Sequence, residues 1–99
     1  HCQGGHSYAD FGKENAIETL SKIMYELSHQ QIPTEAKTTY NFGKIEGGTT
    51  INAIASTATL LYEYRSSMQN CLDIMEKQFL EIVSHYSNVR SKTWKWFIK

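Results

Sequence analysis

The stretch Thr38-Thr39-Tyr40-Asn41-Phe42-Gly43-Lys44-Ile45-Glu46-Gly47-Gly48, continued by Ala58-Thr59-Leu60-Leu61-Tyr62-Glu63-Tyr64-Arg65, decides the fold. Thr, Tyr, Phe and Ile suit a pleated, half-buried surface, so Thr38 to Glu46 reads as a strand. Gly43 interrupts it and marks a bulge or a close backbone contact. Gly47-Gly48 reads as a turn. In the second piece Ala58, Leu60, Tyr62 and Tyr64 alternate against Thr59, Leu61, Glu63 and Arg65, which predicts a second strand. Between them, Thr49 to Thr57 reads as a loop with a short turn of helix around Ile51 to Ala55.

Helical periodicity flanks this pair. Upstream, Ile17, Leu20, Ile23, Met24 and Leu27 recur at three- and four-residue spacing and form one stripe. The spacing predicts a helix from about Lys13 to near His29. Glu14 and Glu18 favour the positive end of its dipole, and Pro33 lies beyond its end. Downstream, Ser66 with Gln69 has the spacing of a capping box. The helix it opens carries Met68, Leu72, Met75, Phe79, Ile82, Val83 and Tyr86 on one stripe, and Ser87-Asn88 ends it. From Lys92 to Lys99 the composition is that of a strand, with Trp94, Trp96 and Ile98 on one face. The first dozen residues are glycine-rich and polar and read as a loop. The order is helix, strand, strand, helix, strand, with the first strand missing or truncated. It predicts an α+β fold of the ferredoxin-like kind: a two-layer sandwich, with an antiparallel sheet carrying two helices on one face.

The chain has 99 residues, 40% hydrophobic and 20% charged. Those values fit one folded domain over 1–99, with 91–99 as a divergent basic tail or last strand. Ten basic and ten acidic residues cancel. That balance argues against partners held by bulk charge, so no nucleic acid and no membrane surface is expected. The cancellation hides an uneven distribution. Arg90, Lys92, Lys95 and Lys99 give the last ten residues +4 with no acid, so the first 89 carry −4. The absence of an initiating Met leads us to expect a piece of something longer, with a boundary near Asn88. Cys2 and Cys71 allow one bridge or two free thiols. A reducing, cytoplasmic setting is the expectation from so few cysteines.

Chemistry-bearing motifs are sparse. The histidines are His1, His6, His29 and His85, and none stands in a His-Glu-x-x-His motif. There is no CxxC pair and no Gly-x-Ser-x-Gly elbow. Cys2 and His6 lack a second pair at metal-ligand spacing, so no metal site is expected in this chain. His29 and His85 lie near helix ends, where capping of free carbonyls explains them. As an enzyme by itself the chain lacks a nucleophile, a base and a metal set. Three polar positions remain. His6 follows two glycines, Asn52 follows Gly47-Gly48, and Arg65 ends a strand. A loop histidine, a turn former and a surface cation are the plain readings of these three.

Together these segments carry a resemblance. Gly4-Gly5-His6-Ser7 followed by Asn15-Ala16-Ile17, then Lys44-Ile45-Glu46-Gly47-Gly48-Thr49-Thr50-Ile51-Asn52-Ala53-Ile54-Ala55, then Leu60-Leu61-Tyr62-Glu63-Tyr64-Arg65, resemble the dimerisation or lid domain of the co-catalytic zinc exopeptidases. That family includes aminoacylase, carnosinase and the bacterial glutamate carboxypeptidase. The resemblance spans roughly residues 4–86. It implies that His6 donates to the oxygen that gains charge in the reaction, a catalytic role, and in dimeric members reaches the partner subunit. It implies that Asn52 and Arg65 bind substrate. It also implies a separate catalytic domain with two zinc ions, and a homodimer formed through an edge strand, for which Thr38–Glu46 is the candidate. The residue types suit these roles. An imidazole N–H is a directed donor to an oxyanion, and guanidinium grips a carboxylate with two parallel bonds. Two departures stand out: Ala55 replaces the Pro most members have, and the segment from Arg90 does not follow the family. An alternative reading is a stand-alone ferredoxin-like module. It would use Trp94, Trp96 and the C-terminal lysines to bind single-stranded nucleic acid or a small ligand.

Overall fold

The computed structural model describes residues 5–6, 14–86 and 94–97. The residues read as a loop over 7–12, Cys2, the Ser87-Asn88 stop and Ile98 lie outside them.

Helix α1 spans Ala16–Ser28. It begins where its orphan backbone donors find acceptors. Asn15 is extended and its Oδ1 accepts from the Ile17 N–H at 3.0 Å. The Ala16 N–H donates to the Ala55 carbonyl at 2.9 Å. Side-chain capping of this kind is worth about 1 kcal/mol. Ile23 and Leu27 are buried along the expected stripe. His29 closes the helix: its N–H bonds the Glu26 and Leu27 carbonyls, and its Nδ1 lies 2.8 Å from the Tyr25 carbonyl. The His85 N–H closes the second helix on the Ile82 and Val83 carbonyls.

Strands β2 (Thr38–Gly47) and β4 (Ala58–Ser66) form an antiparallel ladder, as the opening stretch predicts. Thr38, Tyr40 and Phe42 stand opposite Ser66, Tyr64 and Tyr62. Directly opposed residues share a face, so these six define the helix-side face. The register shifts between Phe42 and Lys44, and Gly43 is the extra residue. Past it, Lys44 pairs with Leu61 and Ile45 with Leu60. The bulge keeps Ile45 on the helix side although it is three residues beyond Phe42. Gly48 has φ +82, a conformation that favours glycine. At Gly47 an added Cβ would lie 2.8 Å from that of Ala58, so the turn's first glycine serves close approach.

The segment read as a turn of helix at Ile51 to Ala55 contains strand β3 (Ala53–Ile54), which pairs antiparallel with β1 (Gly5–His6). The distant partner pulls these residues into the extended state. The capping box at Ser66 is also overturned. Ser66 is still in β4 and is buried. Its Oγ accepts from Thr38 Oγ1 at 3.1 Å and from the Met68 N–H at 3.3 Å. With that hydroxyl engaged, α2 starts later, at Gln69–Ser84, behind Met68.

Both helices lie on one face of the sheet. Ile23 and Leu27 of α1, Tyr62 and Tyr64 of β4, and Leu72, Met75 and Phe79 of α2 form one core. Burying each such side chain contributes about 1.5–3 kcal/mol. The Gln30 Nε2 donates to the Tyr62 hydroxyl at 2.7 Å, and burial pushes the Tyr62 phenol up to about 12. Gln78 pins the chain after α1 by bonding both backbone groups of Gln31, at 3.1 and 2.8 Å. The result is the expected α+β two-layer fold. Its sheet has the order β2-β4-β5, with β5 (Trp94–Phe97) parallel to β4. The α2 crossover between β4 and β5 delivers the parallel direction. Gly5–His6 pairs outside this sheet.

Candidate functional site

His6 and Asn52 are brought to the same end of the molecule. The backbone of His6 stands in register with Ala53, the residue after Asn52. The loop holding Asn52 is fixed by short-range physics at both ends. Ala55 packs on Ala16 and Ala58 and caps the start of α1 through its carbonyl. Ala55, which stands where most members of the resembled family have Pro, is 3% exposed and fills that contact. Within the loop, the Thr50 hydroxyl donates to Asn52 Oδ1 at 2.9 Å, and the Ala53 N–H reaches the Thr50 carbonyl. Asn52 itself is exposed, and beside it Ile51 stands fully in solvent.

Arg65 is not brought to them. It lies on β4 seven residues from Ala58, about 23 Å along an extended strand. It stands opposite Thr39, near the strand end where α2 follows. Its side chain is exposed, on the face away from the helices, and its Nε donates to Glu63 Oε2 at 2.8 Å. Glu63 is a participant that the sequence analysis did not single out. The signal was available: residues two apart on a strand point to one face. Lys44 and Glu46 repeat the pattern on the same face at 3.0 Å.

Among the described residues the outer strand β2 has one neighbour in its sheet, β4. The edge position expected for Thr38–Glu46 is therefore observed. From Gly43 to Gly47 every residue of β2 is exposed, including Ile45 at 52%. Cys71 is a free, buried thiol in α2. Among the described residues no group of three His, Cys, Asp or Glu side chains is placed to hold a metal ion. Among them, too, no helix is long and apolar enough to cross a membrane.

The described residues thus present a sheet edge at β2 and a β1–β3 pairing that joins His6 to the Asn52 segment. Across residues 1–89 the sequence matches the family model of the peptidase dimerisation domain. No curated protein matches the chain.

Proposed function

The chain belongs to the peptidase dimerisation domain family, and from that premise we propose that it is the self-associating lid of a metal-dependent peptidase or amidohydrolase. The observation that carries this reading is the edge position of β2, ten residues long with a single neighbour. An edge strand of that length offers a row of backbone donors and acceptors. Its twin can pair with it across a two-fold axis and extend the sheet. Light scattering on the size-fractionated chain should give the mass of a dimer. A strict monomer up to high concentration would count against self-association, though not against membership of the family.

The contacts to substrate follow from the same reading. His6 donates to the oxygen that gains charge, Asn52 holds polar atoms of the substrate, and Arg65 grips its carboxylate. That carboxylate takes the place of Glu63 on the guanidinium. The separation along β4 is too large for one copy to offer both ends to one small substrate. In a two-fold assembly, one copy brings His6 and Asn52 to each site and the other copy brings Arg65. A pair of zinc ions held by a separate catalytic domain would supply the activated water. In the parent enzyme, His6→Ala should lower turnover by about 100-fold or more with metal content intact. Arg65→Ala should mainly weaken substrates with a free carboxylate. Unchanged kinetics in either variant would remove that residue's role.

A further inference from the structure

The turn between the double glycine and β3 has a composition that local physics does not explain. The Ala53 N–H bonds the Thr50 carbonyl at 3.4 Å, so Ile51 and Asn52 are the two central residues of a β-turn. Central turn positions favour Pro, Gly, Asn, Asp and Ser. Ile51 is β-branched and aliphatic, and at 103% exposure it gains nothing from burial. The base beneath it is firm. Ile54 and Ala55 are buried, Ala53 pairs with His6, and the Ala55 carbonyl accepts from the Ala16 N–H. Two further exposed isoleucines lie at the same end. One is Ile45, ahead of the double glycine; the other is Ile17, whose Cδ1 would lie 3.1 Å from a Cβ added at Gly48. A fixed base under an exposed tip is how loops carry recognition groups.

Asn52, beside Ile51 in the turn, is oriented. Its Oδ1 accepts from the Thr50 hydroxyl at 2.9 Å. The part of the carboxamide offered to a ligand is therefore its NH2, which only donates. The complement of that group is a carbonyl or carboxylate oxygen. The turn tip thus sets an oxygen-directed donor next to an aliphatic side chain.

We propose that this turn selects the substrate: Asn52 donates to a carbonyl or carboxylate oxygen, and Ile51 packs on an aliphatic side chain next to that oxygen. Thr50 is the positioning residue that holds the Asn52 amide in its donating sense. The substrate class is an acyl or peptide derivative of an apolar amino acid, which carries an oxygen and an aliphatic branch a few bonds apart. Contact at Ile51 removes apolar surface from water on both sides only when the substrate side chain is apolar. A polar side chain of the same size loses its water there and finds no partner.

The proposal rests on the reading that Asn52 meets substrate, and the test separates the two. In the proposed parent enzyme, kcat/KM is measured on matched substrates that carry leucine or asparagine, similar in size, beside the scissile amide. The unmodified enzyme should prefer leucine. Ile51→Asn should lower that preference by about tenfold or more, and Ile51→Val should keep most of it. Asn52→Ala should lower kcat/KM for both substrates alike. Thr50→Val should do the same more weakly, and Thr50→Ser should restore it. All three side chains are exposed, so the substitutions spare the core. An unmodified enzyme that prefers asparagine, or an Ile51→Asn enzyme with unchanged preference, overturns the proposal even where Asn52→Ala loses activity and the underlying reading stands. Unchanged kinetics in Asn52→Ala overturns both. Unchanged kinetics in Thr50→Val overturns the positioning role of Thr50.

Discussion

Tyr62 sits where α1, β4 and α2 meet, stacked on Phe79 at 5.6 Å and accepting from Gln30. Burial raises its phenol to about 12 from an ordinary 10. A raised folded-state value means the neutral form is held more firmly in the fold than in the unfolded chain. Its stabilisation is complete below pH 10 and is lost as the pH climbs through the folded value. That loss falls between pH 10 and 12. Tyr86, whose hydroxyl donates to Glu26, is raised mainly by that bond and adds in the same direction. Urea titrations across this range should show the decline, and Tyr62→Phe should flatten it. An identical decline in the variant would remove Tyr62 as its source. At this scale the sequence is legible where one residue answers its near neighbours. Asn15 and His29 cap a helix through bonds spanning two to four residues. It misleads at Ser66, whose hydroxyl is taken by Thr38, 28 residues away. Of the candidate site residues, Arg65 was visible as a cation, but its engagement by Glu63 needed the strand's face to be known.

The bulge in β2 shows how an element corrects its own phase. The helix-side residues Thr38, Tyr40 and Phe42 keep period two, and Ile45 breaks it. Gly43 absorbs the extra step. No positive φ is seen there, and an added Cβ would meet only ordinary contacts at 3.8 Å or more. The position therefore needs an additional residue more than it needs glycine. Deleting Gly43 should leave the pairs Phe42–Tyr62, Lys44–Leu61 and Ile45–Leu60 in place and cost about 1 kcal/mol or less. Deleting Asn41 should instead throw Thr38 and Tyr40 onto the wrong face and cost several kcal/mol, on the order of a lost core side chain. Equal unfolding midpoints for the two deletions would contradict this account. Strands β2 and β4 and both helices were legible because each carries its own period. Strand β3 was not, because a two-residue element has no period to read, and only its pairing with Gly5 and His6 makes it extended.

Across the described residues, the loop that holds Asn52 packs near the start of β4 and Arg65 lies near its end, and this has a measurable consequence for the proposed parent enzyme. If each site draws His6 from one copy and Arg65 from the other, mixing His6→Ala subunits with Arg65→Ala subunits restores intact sites. Random pairing makes half the assemblies mixed, and one of the two sites in each is complete, so about a quarter of the unmodified activity should return. If both residues served one site from the same copy, no activity would return on mixing. The sequence by itself determined the two amphipathic helices, the long hairpin with its double-glycine turn, and the α+β class. These follow from hydrophobic period, propensity and local hydrogen bonding, all of which act over a few residues. Only the tertiary structure decided that Gly5–His6 pairs outside the main sheet, that β5 joins β4 in parallel, and that Arg65 stands at the end of β4 away from the loop that holds Asn52. Strand pairing is a contact between distant segments. Its outcome depends on which edge is open when the chain closes, and no local pattern encodes that.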